Sequence, residues 1–282
     1  MKKIILLLGI LFVASTTAQA ACDYNCVEPY NLNNKFYTFV GAVSGVNTVV
    51  ENSVEGLLTK QVLKVASADD LKVDLNSRSA RDLKNGIFKS FELKGKNVLV
   101  NDIHLVGLDL KTLCDFNYVK VINNDVVFVE DMPMSFDMVM DQDSINKSLT
   151  HPRYKQVVAD FNRIAASYAL GFRVNSTKVA IKGDKFYFIV GMNIPQVKKE
   201  QKVVFESDLH VKNGKFDLSQ TKLVSGNLRL DVKRIDFLMN YLNPLEYSVK
   251  FLDGHSAKVN VKELKVSENV LYANGVVTIP KN

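Results

Sequence analysis

The chain has 282 residues, 47% of them hydrophobic, with a formal charge of +6, three cysteines and no tryptophan. Its lysines are spread along the whole length, with no basic run interleaved with aromatics, which argues against nucleic acid as a partner. Such a length and apolar content allow one large core, and a mild positive balance suits solubility or contact with anionic headgroups.

Residues 1–20 carry Lys2 and Lys3, the apolar run 4–13 and then Ala18-Gln19-Ala20, the layout of a cleavable signal peptide. The sequence therefore predicts export to the periplasm or the extracellular space. Acylation at Cys22 is the competing reading, disfavoured because Gln19 stands where that signal wants leucine. No later stretch reaches the ~18 uninterrupted apolar residues of a membrane-crossing helix. Residues 21–35 are polar and irregular and are expected to form a flexible lead-in. Cys22 and Cys26 are close enough to pair, leaving Cys114, in an apolar run, as a buried free thiol.

Residues 36–63 show a helical pattern of valines and leucines, with an uncertain start. The period then changes to two at Leu71, Val73 and Leu75, a half-buried strand. A short helix over 79–85 stops at Gly86. Strands are predicted at 87–94, 97–106, 108–113, 116–122, 126–130 and 134–140. Asn123-Asn124-Asp125 makes a hairpin turn.

The helical island 141–168 follows. Cap-type residues precede Ile145 and Leu149, and Pro152 then breaks the helix and suits the first turn of a new one. The second helix carries Tyr154, Val157, Val158, Phe161, Ile164, Ala165 and Tyr168 on one face. Strands are predicted again at 174–182, 185–194, 201–212, 215–218 and 227–233. A helix at 234–243, apolar nearly all round, ends at Pro244, and strands at 247–252, 258–266 and 270–279 finish the chain. No Pro- or Gly-rich linker divides these elements, so residues 36–282 read as a single α+β domain. Short turns between strands imply a strongly curved, mostly antiparallel sheet covered by helices.

Three stretches carry a resemblance. They are 80–93 (Ala-Arg-Asp-Leu-Lys-Asn-Gly-Ile-Phe-Lys-Ser-Phe-Glu-Leu), 106–113 (Val-Gly-Leu-Asp-Leu-Lys-Thr-Leu) and 143–149 (Asp-Ser-Ile-Asn-Lys-Ser-Leu). In this order they resemble the LmeA-like phospholipid-binding family of exported proteins. The resemblance implies a curled sheet wrapped around a long broken helix, similar to one half of the tubular lipid-binding proteins. Acyl chains would lie between helix and sheet, no catalytic residue would be needed, and the N-terminal part departs from the pattern.

The expected function is therefore extracytoplasmic binding of phospholipid or another acyl lipid, with transient membrane-surface contact, for transport or envelope maintenance. The alternative is a ligand-free structural or assembly factor acting through protein contacts. Candidate lining residues are Met134, Phe136, Met138 and Met140 before the island, and Ile145, Leu149, Tyr154, Val157, Val158 and Phe161 on it. Phe237, Leu238 and Leu242 join them from the last helix. Periodicity does not distinguish a packed interior from a lined cavity. The Thr150-His151-Pro152 break is a candidate hinge for a movable wall.

Enzyme signatures are missing from the sequence: no Gly-x-Ser-x-Gly elbow, no His-Glu-x-x-His, no phosphate-cradling glycine loop. A dispersed Ser/His/Asp triad stays open. No metal or other cofactor is expected. Asp137, Asp141 and Asp143 lack a calcium-loop pattern, and His104, His151, His210 and His255 are far apart in sequence.

Overall fold

The structure is a computed structural model. It describes residues 24–32, seven positions between 52 and 63, and 66–100, 102–122, 125–168, 171–195, 197–217, 221–225, 238–239, 241–245 and 257–282. The elements in chain order begin with strands β1 (Ala66–Ser67) and β2 (Asp70–Asn76), helix α1 (Ala80–Lys84), then β3 (Ile87–Phe88), β4 (Ser90–Val100) and β5 (Ile103–Thr112). Strands β6 (Asn117–Ile122), β7 (Asp125–Phe128) and β8 (Met132–Asp141) lead to helices α2 (Gln142–Leu149) and α3 (Pro152–Ser167). After them come β9 (Arg173–Lys182), β10 (Lys185–Asn193), β11 (Gln201–Ser207), β12 (His210–Lys212), β13 (Lys215–Asp217), β14 (Thr221–Ser225), β15 (Lys258–Ser267) and β16 (Val270–Ile279).

Every strand pair is antiparallel. The largest sheet has seven strands in the order β1-β4-β5-β8-β16-β15, and β2 lies beside β1 along the same edge of β4. A four-stranded sheet runs β14-β11-β10-β9, and smaller sheets join β3-β6-β7 and β12-β13. The α+β class with mostly antiparallel sheets thus follows the sequence reading.

Alternation explains the core. Met132, Met134, Phe136, Met138 and Met140 are buried along β8, while Asp137 between them is exposed. The small sheet supplies Val179, Phe186, Phe188, Val190, Val203 and Phe205, all 0% exposed. Both sets belong to one hydrophobic cluster, completed by Ile145, Leu149, Tyr154, Phe161 and Ala165 from the helices.

Helix α2 joins the two sheets. Asp141 caps it: its carboxylate accepts from the Ser144 N–H at 2.7 Å, and Ser144 Oγ accepts from the Asp141 N–H at 3.0 Å. On one side the Ser148 hydroxyl accepts the His104 N–H of β5 at 2.8 Å. Toward β9, the Asn146 side chain donates to the Val179 carbonyl at 2.9 Å and accepts the Val179 N–H at 2.8 Å. Gln142 accepts the Ile181 N–H at 3.1 Å. In α3, Asn162 makes the same two-way pair with Val174, both at 2.8 Å. Strand β9 is the edge of its sheet, so side-chain amides of the island occupy backbone groups that would otherwise template another strand. Of these, Asn162 reads in sequence as part of the polar face of its helix.

Boundaries shifted where the backbone turns sharply. The expected gap between strands at 94–97 falls inside β4, and the turn comes instead at Asp102, which takes φ 69°. The expected breaks on either side of 107 vanish, and β5 runs unbroken from Ile103 to Thr112. Strand β14 was not anticipated. The helix expected at 36–63 is seen at Asn52, Val54–Gly56, Thr59, Lys60 and Leu63, and that expected at 234–243 at Leu238, Met239, Tyr241 and Leu242. The strands expected at 227–233 and 247–252 lie outside the described residues, as does the leader at 1–20.

The cysteine reading is corrected. Cys26 bonds Cys114, not Cys22, which lies outside the described residues, and Cys114 is not a free thiol. The reason is that the chain after Cys26 is anchored near the start of β6 by Tyr30. Tyr30 packs on Phe116 and Tyr118, with ring centroids 5.1 and 6.1 Å away. Its hydroxyl donates to Glu130 at 2.6 Å. That hydrogen bond, then burial, pushes the Tyr30 phenol up to about 12.

Candidate functional site

A pocket of about 580 Å³ opens where α1 meets β6. Its walls come from β2, β4, β3, β6, β7 and β8, with Leu75, Phe88, Phe91, Val119, Phe128 and Met132 contributing apolar side chains, and Val54 closing one flank. The volume falls within the roughly 300–1,000 Å³ of small-molecule sites. Among the described residues, the polar side chains on the lining are the exposed Lys84, Asn85 and Lys120. Ile122, also on the lining, is 50% exposed. Lys120 is steadied by the Tyr118 ring, with Nζ 5.2 Å from its centroid.

The local sequence builds this site in steps. Ser79 caps α1 by accepting the Asp82 N–H at 3.0 Å and donates to the Asp82 carboxylate at 2.6 Å. Leu83 turns inward, and Gly86 ends the helix with φ 81°, its N–H donating to the Leu83 carbonyl at 2.9 Å. The Gly86 carbonyl then accepts the Val119 N–H at 3.0 Å, which draws β6 across. A Cβ at position 86 would sit 1.8 Å from the Val119 carbonyl oxygen. Gly86→Ala is accordingly expected to cost about 2–3 kcal/mol of stability through backbone strain and displacement of β6, read as a lowered urea midpoint.

The residues singled out from the sequence occupy a different place. Met134, Phe136, Met138, Met140, Ile145, Leu149, Tyr154, Phe161, Leu238 and Leu242 are buried together in the core cluster. Val157 and Val158 are half-buried against it. Phe237 lies outside the described residues. None of the described ones is on the lining of the 580 Å³ pocket, which meets this set through β8, by way of Met132. The Tyr154 hydroxyl donates to the Leu242 carbonyl at 3.0 Å, tying the island to the last helical stretch. A second recess of about 430 Å³ meets the island at its far end, beside Ala165 and Ala166. The pocket residues are not marked in sequence because they are drawn a few at a time from many separate elements, a helix and six strands among them, so no one period gathers them. The usable signal was Lys84 and Lys120 set among apolar neighbours, with Ile122 next to a turn.

Histidines far apart in sequence also come together. His104 Nε2 lies 2.9 Å from His151 Nε2, and His151 Nδ1 lies 3.3 Å from an Asp102 carboxylate oxygen. Burial first, then the neighbouring His151 and Lys147, hold the His104 imidazole below its usual 6.5, with Asp102 opposing. Among the described residues no group of three or more His, Cys, Asp or Glu side chains is arranged to hold a metal ion.

No protein-family model, curated protein or solved structure matches this chain. The site is therefore read from its own geometry. Among the described residues, no helix is long and apolar enough to cross a membrane.

Proposed function

We propose that this protein binds an acyl lipid outside the cytoplasm, for lipid transport or maintenance of the cell envelope. The carrying observation is the 580 Å³ pocket whose described lining is mainly apolar, its cationic side chains being the exposed Lys84 and Lys120. An acyl chain entering it leaves water at ~0.8 kcal/mol per methylene, so about fourteen methylenes supply on the order of 11 kcal/mol before binding costs. Lys84 and Lys120 suit an anionic headgroup, and the exposed Ile122 suits brief contact with a bilayer surface. The resemblance of 80–93, 106–113 and 143–149 to LmeA-like proteins supports the same reading, as does a Cys26–Cys114 bridge suited to an oxidising compartment. In this proposal the seven-stranded sheet curls as one half of a tubular lipid-binding fold. The lipid lies at the α1–β6 end, away from the island.

Native mass spectrometry of the exported chain tests this, before and after incubation with anionic phospholipid vesicles. A lipid-sized adduct is expected on the natural protein, and its loss in a folded Phe91→Glu variant, where a carboxylate enters the pocket wall. Absence of any adduct after loading, or full loading of Phe91→Glu, would refute the reading.

A further inference from the structure

We propose that His104 and His151 form an acid-released latch holding the α2–α3 junction to the start of β5. The latch concerns the core side of the molecule and stands independently of the lipid reading.

The junction is short. Thr150 and His151 separate the two helices, and His151 is the N-cap of α3, extended at ψ 154° with no capping hydrogen bond from its side chain. Its ring instead reaches β5, 2.9 Å from His104. The protons on this pair are set by the surroundings. Asp102, in the turn before β5, sets a carboxylate oxygen 3.3 Å from His151 Nδ1 and so favours the proton on that nitrogen; with it there, neutral His151 presents a bare Nε2 to which His104 Nε2–H can donate. One proton therefore serves both nitrogens.

Protonating both rings leaves two donors facing one another with no acceptor, and two positive charges at hydrogen-bond distance. The contact has to open. The charged groups around it do not rescue it. From α2, Lys147 adds positive potential at His104. From α3, Arg153 lies 3.9 Å from Asp102 and shares the one carboxylate that faces His151. Because the His104 imidazole is held low in the closed form, the latch is fully effective above the usual value of 6.5. Its contribution fades as pH falls from there through the lowered value.

Opening would free the segment that links α2, the bridge between the two sheets, to α3. Helix α2 itself stays packed on β5 through Ile145 and Leu149 and keeps the Ser148 hydroxyl on the His104 N–H. The latch thus gives pH a route to the joint of the fold.

The test uses the full chain. Histidine ring protons followed by NMR should show His104 titrating below the ordinary imidazole range and coupled to His151. Amide hydrogen exchange over residues 148–155, corrected for intrinsic rates, should be several-fold faster at acid pH than at neutral pH. His104→Gln keeps a neutral donor toward His151 and should abolish that ratio. Two rings that titrate independently at the ordinary value would overturn the latch, as would an unchanged exchange ratio in His104→Gln. Should His104→Gln fail to fold, the titration of the natural chain decides alone.

Discussion

Phe161→Asp is expected to leave the protein largely unfolded at neutral pH. Phe161 is 0% exposed, and its ring centroid lies 6.3 Å from that of Phe172 and 5.7 Å from that of Tyr241. Truncating a buried Phe to Ala costs about 3–5 kcal/mol. A carboxylate at that point adds the penalty of a buried charge with no apolar neighbour able to pair it. Together these approach the whole ~5–15 kcal/mol that stabilises a typical domain. Urea unfolding followed by far-UV circular dichroism checks this. At Val157, which is only half-buried, an Asp can turn toward water, and the loss should be nearer ~1 kcal/mol. An unchanged midpoint for Phe161→Asp would mean that α3 does not pack its stripe into the core.

Removing the bridge, as Cys26→Ser with Cys114→Ser, is expected to cost about 4 kcal/mol. The bond closes a loop across a sequence separation of 88, and the chain-entropy estimate for loops of that size lies near this figure. The native contacts at that end do not compensate. Among the described residues they include Tyr30 on Phe116 and Tyr118 and its hydrogen bond to Glu130. Thermal unfolding with and without reductant separates the outcomes. Reductant should lower the midpoint of the natural chain to that of the double variant and leave the double variant unmoved. Equal midpoints throughout would show that the bridge adds no stability.

Local patterns carried much of the fold. The β8 alternation, the stop of α1 at Gly86 and the break between α2 and α3 ahead of Pro152 were all legible, because each depends on neighbours within a few residues. Pairings set by distant chain were not. Cys22 was close to Cys26 in sequence, but Cys26 is placed by the packing of Tyr30 on β6, which no spacing reveals. His104 and His151 meet because α2 returns over β5. The candidate site fails to show for a third reason. Periodicity identified the apolar faces of β8 and α3, but not that they fill one another, nor that the gap lies instead beside Gly86 and Val119. The roles of Asn146 and Asn162 are equally hidden, since an amide that satisfies β9 and one that faces water look alike in sequence.

Strand β16 lies inside the large sheet, between β8 and β15, and its register joins Val270 to Asp141 and Ile279 to Met132. Both island helices and the whole small sheet intervene between these partners. The closure entropy of that span has to be met before the pairing returns anything, which places completion of the sheet late and makes folding slow, in the range of milliseconds to seconds. Until then β8 has only β5 beside it, and its inner row of methionines and Phe136 lacks a neighbour on the other flank. The molecule is thus built to remain a threadable chain for some time after its first strands have formed.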